Sequence, residues 1–418
     1  MAIPQTPSLS IMSGALPMSS ILRDPTLRSL AALLVLWGAV VCSFGPYTSV
    51  LAVQTFDLGN RGYAVLLTLS SVISVGAALW VGIRADQTAN RRGMALATLG
   101  LLIAGVGVMS LWPSVPAFLL AHVLLLPMSG TLWGQLFAMC RLAASVRPEA
   151  ERDTILATMR ALFALPFVLV MPLWAAAFST GLPLLSVYPV ALILGAIMLA
   201  MVFRFWPRDG QTDWADVPSG LSFRAALSEL ANPGVAFRVV ALGAVSGAMT
   251  AYMAILSLVL GPEVGRGPAD VALYFGIVAG LEVPFMLALP LISGRFRRTT
   301  LILWGTLIYA VHLSLLPLLA GHWALWLLVL PAAVGGAAIL TIPIGYLQDM
   351  LSTRPGTGAA LMALQLLVGQ VLAALCFAVG TSLAGYGLVA ALSAASGVIG
   401  AALLHRADSA EVLRTVSP

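Results

Sequence analysis

Two charged side chains lie deep inside apolar stretches of the sequence and are the first candidates for chemistry. Glu282 lies about fourteen residues into the apolar run 269–293, and Arg160 about seven residues into the run 155–178. A carboxylate at the centre of a membrane-spanning helix costs about 2.5–3.5 kcal/mol on insertion scales, and desolvation favours its neutral form. Arginine stays charged there and needs an anionic partner or a wet cavity. The pair predicts a protonation site at Glu282, tuned by Arg160 across one central cavity.

Each of these residues also has a structural interpretation. Glu282 is alternatively a permanent partner of a buried arginine, a hydrogen-bond acceptor for the backbone, or a direct substrate contact. Arg160 is alternatively a residue whose long side chain reaches back to the membrane surface. The sequence leaves these alternatives open.

Polar side chains recur at helical spacing in two apolar runs and predict the lining of a solute pathway. Residues spaced i, i+4, i+7 and i+11 share one face of a helix. Hydroxyl and amide groups on such a face can hydrogen-bond a polar solute, or they can join neighbouring helices. The residues predicted to contact substrate are Ser43, Tyr47, Gln54, Gln135, Thr250, Tyr346 and Gln365. The first face is Ser43, Tyr47, Val50 and Gln54, and the matching face is Ser246, Thr250, Met253 and Ser257.

The composition requires that these residues be positioned by membrane-spanning helices. Of the 418 residues, 60% are hydrophobic and 9% are charged, and the mean hydropathy is +1.00. Soluble domains carry roughly 25% charged residues, which excludes an ordinary soluble enzyme. Apolar runs of about 20 residues suit membrane-crossing helices. The predicted spans are 30–54, 62–83, 93–112, 115–142, 155–178, 182–205, 235–260, 269–293, 301–319, 323–348, 359–383 and 386–404.

The arginines predict the orientation of these spans. All 21 basic residues are arginine, and placing both termini in the cytoplasm puts 18 of them at cytoplasmic ends. Arg61 and Arg266 then lie outside, and Arg160 lies within a span. Cytoplasmic loops of membrane proteins carry an excess of arginine and lysine, so both ends are predicted inside, in a bacterial inner membrane.

The chain also predicts an internal duplication. Arg91-Arg92 and Arg297-Arg298 lie 206 positions apart, and Arg147-Pro148 and Arg354-Pro355 lie 207 apart. Such an offset indicates two six-helix bundles with a site between them near the middle of the membrane. The predicted segments are a cytoplasmic tail 1–27, a first bundle 28–206, a cytoplasmic linker 207–233 with an amphipathic helix 223–231, a second bundle 234–405 and a cytoplasmic tail 406–418.

One segment after the second predicted span resembles the signature of major facilitator transporters. It runs from Gly82 through Asp86 to Arg91 and Arg92, with Gln87 and Ala89 departing from the family pattern. Gly82 and Asp86, four residues apart, share a helix face, and the carboxylate lies beside arginines at the membrane surface. The resemblance implies an all-α integral membrane protein of about twelve helices, with these residues forming a cytoplasmic gate.

Four further segments resemble the sugar efflux transporter family of that superfamily. They are residues 134–138, 159–165, 279–284 and 346–349 followed by 354–357. The resemblance implies a secondary transporter that exports sugars or sugar analogues by proton antiport through alternating access. Its expected partners are a small-molecule substrate, protons and membrane lipid, and we expect a monomer.

Two other functions remain open on the sequence. A proton-coupled exporter of amphiphilic drugs is one, because the only asparagines are Asn60, Asn90 and Asn232, all outside the predicted spans. A membrane receptor that senses a solute without transporting it is the other. We expect no enzymatic activity, cofactor or nucleic-acid partner, and the isolated His122 and His312 do not predict a metal site.

Overall fold

The apolar runs form helices long enough to cross a membrane. A computed structural model describes residues 21–88, 90–208, 212–214, 232–293, 295–350 and 355–416. Twelve spans within them have the length and composition of membrane crossings, and we number them in chain order. All twelve predicted spans are confirmed, with ends that differ by a few residues. They are Pro25–Thr55, Gly59–Ala85, Arg91–Leu111, Val115–Ser145, Thr154–Ser179, Leu184–Phe205, Pro233–Val259, Pro268–Leu289, Arg298–Leu319, Trp323–Leu347, Met362–Leu383 and Tyr386–Ser409.

The predicted tails and linker fall partly outside the described residues. The N-terminal tail 1–27 is described only from residue 21, and the helix of span 1 already begins at Pro25. The amphipathic helix predicted at 223–231 lies outside the described residues, as does most of the linker. The last helix, Tyr386–Val416, continues beyond residue 405, where the second bundle was predicted to end.

Spans 1 and 7 begin in the same way. Asp24 caps the first helix with its carboxylate, which accepts hydrogen bonds from two backbone N–H groups of the first turn. Asn232, 208 positions later, caps span 7 with its side-chain oxygen, and each helix has proline as its first residue. A short polar acceptor followed by proline suits a helix start, because it satisfies free N–H groups and the proline lacks one. The two helix starts are therefore equivalent positions of the repeat.

The two repeats differ in how regular their inner helices are. Span 1 is α-helical over Pro25–Phe44, passes through a 3₁₀ turn at Gly45–Tyr47, and ends in a π-helical turn at Leu51–Thr55. Span 4 contains a second π-helical turn at Leu120–Leu125. Span 7 is one continuous α-helix, Pro233–Val259. Because 3₁₀ and π turns change the number of residues per turn, they rotate the side chains that follow onto a different face.

The halves pack through spans 5 and 8 and through spans 2 and 11. The rings of Phe167 and Phe275 are 5.8 Å apart across the first contact, and those of Tyr63 and Phe377 are 5.1 Å apart across the second. At Gly276 a Cβ would lie 2.9 Å from the Cβ of Met171. Glycine is therefore required there for the two helices to approach so closely, as is common where membrane helices cross.

Candidate functional site

One end of the bundle is closed by contacts between the two halves. We call it the far end, since spans 1 and 7 begin at the opposite, near end. Among the described residues, three hydrogen bonds join the two halves there, and all are between neutral groups. They are Ser49 Oγ to Ser257 Oγ at 2.8 Å, Tyr47 Oη donating to Pro268 O at 3.4 Å, and Tyr386 Oη donating to Asn60 Oδ1 at 3.0 Å.

Glu282 lies in the middle of span 8 and faces spans 7 and 10. A Cβ at Gly336 of span 10 would collide with the Glu282 Oε1, and it would also approach Met249 of span 7. The side chain is half-buried. Among the described residues it has no hydrogen bond or ion pair. A carboxyl group in such a place is able to gain and lose a proton without breaking an ion pair.

Arg160 lies nearer the near end and is exposed. It is seven residues before Phe167 and eleven before Met171, which both pack on span 8, so the three share the helix face toward the second half. No ion pair joins Arg160 to Glu282 in the described part of the chain. The structure therefore does not bring the two residues into contact: Arg160 lies on the face toward the second half, whereas Glu282 faces spans 7 and 10 of its own half.

A cluster of buried polar rings lies beside Glu282, and we call it the tyrosine–histidine cluster. Its members are Tyr252 of span 7, Tyr274 of span 8, and Tyr309 and His312 of span 9. Tyr274 Oη and His312 Nδ1 are 3.2 Å apart, and the rings of Tyr252 and Tyr309 each lie 5.2 Å from the His312 ring. The Tyr252 and Tyr309 hydroxyls both interact electrostatically with Glu282.

Aromatic rings also cross the interface between the halves. Trp133 of span 4 lies 4.0 Å from Phe163, which is followed by Phe167 at 5.5 Å, Phe275 at 5.8 Å and Tyr252 at 6.3 Å. We call these five residues the aromatic row. It leads from the first half to the tyrosine–histidine cluster. Aromatic faces of this kind cover the apolar faces of small ligands, while a few polar groups fix their orientation.

The predicted contacts in span 1 do not form one cavity-lining face. Ser43 is fully buried, donates to a backbone carbonyl of its own helix, and accepts a hydrogen bond from Trp174 Nε1 at 3.0 Å. Tyr47 is fully buried in the far-end closure. Gln54 is exposed in the π-helical turn at the far end of the span. The 3₁₀ and π turns separate these side chains, which a regular helix would have aligned.

The other predicted contacts lie at different depths of the bundle. Thr250 is half-buried, and its hydroxyl donates to Ser246 O at 3.4 Å. Gln365 is buried and donates to a carbonyl of span 7, whereas the Oε1 atom of buried Gln135 has no partner in the described residues. The Tyr346 hydroxyl binds Arg238 and Asp408 near the start of span 7 and the end of span 12. Of these residues, Thr250 is on span 7 near Met249 and the Glu282 site.

The residues of the predicted gate lie at the near end. Arg91 is buried at the start of span 3. Arg92 donates to the Phe203 carbonyl at 3.0 Å and lies 5.9 Å from the Phe203 ring. These contacts connect the start of span 3 to the end of span 6. Gly82 is half-buried in span 2, and the Asp86 side chain is outside the part of the chain that the structure describes.

The tyrosine–histidine cluster was missed by the sequence analysis. His312 was considered only as a metal ligand, although an ionisable side chain inside a span is itself a signal of function. Tyr252, Tyr309 and His312 come from two different spans, and their approach to Glu282 depends on helix packing. The position of His312 could have been found from the sequence, but the cluster could not.

Two curated proteins resemble the chain over most of its length. A putative sugar efflux transporter of Deinococcus radiodurans is 26% identical over 379 residues, covering 89% of this chain and 95% of that protein. Sugar efflux transporter A of Escherichia coli is 23% identical over 316 residues, covering 73% of this chain and 76% of that protein. No protein-family model matches the chain. Both relatives are transporters, not enzymes.

Solved structures establish the fold. The nucleoside transporter NupG superposes with a TM-score of 0.71 at 13% identity, covering 91% of this chain and 98% of that one. A D-xylose-proton symporter superposes with a TM-score of 0.66 at 14% identity, covering 91% and 97%. Likeness at such low identity concerns the fold alone. The chain is thus a multi-pass membrane protein with the major facilitator fold, and it resembles the sugar efflux transporters.

Proposed function

We propose that the protein exports sugars or sugar analogues across the bacterial inner membrane by proton antiport. The names of the two relatives support a sugar as the cargo. The arginine distribution supports a cytoplasmic near end, since it carries 18 of the 21 arginines in the predicted orientation. The protein acts as a monomer in membrane lipid and needs no cofactor.

The position of Glu282 carries the proposal of proton coupling. Its carboxyl group is half-buried, has no ion-pair partner among the described residues, and lies next to spans 7 and 10. Antiport needs a group that is protonated when substrate is absent and releases the proton when substrate binds. A carboxyl group that faces spans 7 and 10 within the second half meets that need, because its charge state responds to whatever enters beside it.

Sugar recognition uses the groups around Glu282. The Thr250 hydroxyl and the carboxylate supply hydrogen-bond partners for sugar hydroxyls, and the rings of Phe167 and Phe275 supply flat apolar surface. Gln135 adds an amide oxygen that has no partner within the described residues. These residues come from both halves, so substrate binding stabilises a particular arrangement of the two.

Alternating access follows from exchange between far-end and near-end closure. The far end is held by hydrogen bonds between neutral groups, which a rocking motion can break at small cost. Asp86, Arg91 and Arg92 form the gate that closes the near end in the other state. Arg160, exposed on the interface nearer that end, attracts the anionic form of Glu282 over a distance and thereby favours proton release.

The test is sugar uptake into inverted membrane vesicles. Labelled lactose, arabinose and a thiogalactoside are supplied with and without an imposed proton gradient. We expect uptake that depends on the gradient in the wild type and in the control Glu263→Gln, which neutralises an exposed far-end carboxylate. Glu282→Gln should abolish the dependence on the gradient. Coupled transport that persists in Glu282→Gln would make that residue structural.

Export of amphiphilic drugs is the second candidate, and the aromatic row favours it. Five rings across the interface provide more apolar than polar contact surface. Vesicles that move a lipophilic cation but no sugar, with no competition by sugars, would assign the protein to this function. Vesicles that bind sugar and move no solute would indicate the receptor.

A further inference from the structure

Three polar atoms of the tyrosine–histidine cluster are buried without a partner. Tyr252 Oη, Tyr309 Oη and His312 Nε2 have no hydrogen bond among the described residues. The residues are 3%, 1% and 0% exposed, so neither bulk water nor a sugar reaches them in this conformation. A buried polar group without a hydrogen bond is destabilising, and nearly all such groups in proteins have a protein or water partner.

The three atoms belong to side chains that surround one small region. Their ring centroids are 5.2 to 6.3 Å apart, and spans 7 and 9 contribute them from two sides. Tyr309 packs against Gly335 of span 10, where an added Cβ would lie 2.7 Å from the Tyr309 Cβ, and Glu282 packs against the next residue, Gly336. The two hydroxyls therefore lie near the Glu282 carboxylate and interact with it electrostatically. The other polar groups that face His312 among the described residues are the Tyr274 hydroxyl of span 8, bonded to Nδ1, and the backbone of Leu328, which also interacts with the imidazole.

We propose that a bound water fills this region and links the tyrosine–histidine cluster to Glu282. A buried water makes two to four hydrogen bonds, so one water is able to bind the three atoms and the Glu282 carboxylate together. The two tyrosine hydroxyls donate hydrogen bonds to the water. The water in turn donates to the Glu282 carboxylate and stabilises its charged form. Tyr252 and Tyr309 are then positioning residues for proton release.

The water site is tested independently of transport by radiolytic hydroxyl labelling of the purified protein in H₂¹⁸O. Radicals formed from a bound water modify the rings beside it even when these are buried. Tyr188 is the control, since it is equally buried and its hydroxyl is bonded directly to His122 Nε2 at 2.8 Å. We expect Tyr252 and Tyr309 to be labelled faster than Tyr188, because the proposed water adjoins them and not Tyr188. Equal labelling of all three would overturn the water site.

The link to Glu282 rests on the proposed proton antiport and has its own test. Hydrogen bonds to a charged carboxylate favour that form, so their loss moves proton release to higher pH. We expect the double variant Tyr252→Phe, Tyr309→Phe to raise the pH of half-maximal gradient-driven sugar transport by about one unit, a tenfold change in proton affinity. Tyr188→Phe should leave the profile unchanged.

The outcomes of the two tests separate the two proposals. An unchanged pH profile in the double variant, with fast labelling in the wild type, would leave a water site and refute its role in proton release. Wild-type vesicles that move no sugar would refute the proposed function, while fast labelling would still establish the water. In the single variant Tyr252→Phe, labelling of Tyr309 should fall because the water loses one of the groups that hold it.

Discussion

Each half of the molecule buries a histidine against a tyrosine, but the two pairs differ in what they leave unsatisfied. In the first half, His122 Nε2 and Tyr188 Oη are 2.8 Å apart, and neither residue has a buried polar atom without a partner. In the second half, His312 is hydrogen-bonded to Tyr274 through Nδ1, and its Nε2 has no hydrogen-bond partner among the described residues. Two tyrosine hydroxyls beside it also have none. Burial of a histidine is therefore no sign of function by itself.

The surroundings of the two pairs explain this difference. His122 lies in the π-helical turn of span 4, its ring stacked 4.3 Å from Phe118 and its edge toward Phe44. That pair holds an irregular segment against the start of span 6. The second pair lies on the regular helices of spans 8 and 9, beside Tyr252 and Tyr309, whose hydroxyls interact with Glu282. We infer that the first pair stabilises the fold and the second serves proton transfer.

The largest expected effect is the loss of the first pair. His122→Ala removes an aromatic side chain from the core and leaves the Tyr188 hydroxyl buried without its partner. Aromatic-to-alanine changes in cores cost about 3–5 kcal/mol. We expect a loss of that size in the free energy of unfolding, measured by denaturant titration in detergent. Transport by the remaining folded protein should persist. A fully stable variant that no longer transports would reverse the assignment.

Removing one tyrosine hydroxyl from each half tests the comparison directly. Tyr188→Phe removes the hydroxyl bonded to His122 and leaves the His122 Nε2 atom buried without a partner. We expect this to lower the free energy of unfolding by about 1–3 kcal/mol. Tyr309→Phe removes a hydroxyl that has no protein partner among the described residues and should cost less than about 1 kcal/mol. Both tyrosines are fully buried, so cavity effects are matched. Equal losses in thermal unfolding would show that the two pairs do not differ.

The spans were predictable from the sequence, because the thickness of the bilayer and the rise of a helix fix their length. All twelve have the predicted positions to within a few residues. Glu282 could also be selected, since a carboxylate in an apolar run is costly. The unpaired state of its side chain depends on which helices surround it, and no pattern along the chain contains that information.

The faces of the inner helices were predictable only where the helix is regular. In span 7 the face of Ser246, Thr250 and Ser257 persists, because the helix is continuous. In span 1 a 3₁₀ turn and a π turn lie between Ser43 and Gln54, so the assumed period fails. The helix caps at Asp24 and Asn232 give the correct alignment, in which Ser49 and not Gln54 is equivalent to Ser257.

This equivalence predicts a smaller effect at the far end, where the halves meet at equivalent positions. Ser49 and Ser257 each lie 24 residues after the first helical proline and bond to one another at 2.8 Å. A hydrogen bond contributes about 0.5–1.5 kcal/mol net, so Ser49→Ala should shift the population toward the far-end-open state by up to about tenfold. The measurement is the distance between spin labels at the exposed residues Arg61 and Glu263, which leave the far-end hydrogen bonds intact.

The double variant sharpens this test. Ser49→Ala alone leaves the Ser257 hydroxyl buried without a partner, whereas Ser49→Ala with Ser257→Ala removes both polar groups. We therefore expect the double variant to resemble the wild type more closely than either single variant does. Additive shifts would show that the two serines act separately in the far-end closure.

The smallest effect distinguishes the two helix caps. Replacing Asp24 or Asn232 by alanine removes a cap and should cost about 0.5–2 kcal/mol in either half. Asp24 additionally pairs with Arg147 Nη2 at 2.8 Å, and both side chains are partly exposed. An exposed ion pair contributes at most about 1 kcal/mol, so Asp24→Ala should be the more harmful variant by less than that amount. Since salt screens exposed charges, unfolding at about 1 M salt should make the two losses equal. A difference that survives high salt would mean that the first half depends on its cap for more than charge, and that the two helix starts are equivalent in sequence without being equivalent in energy.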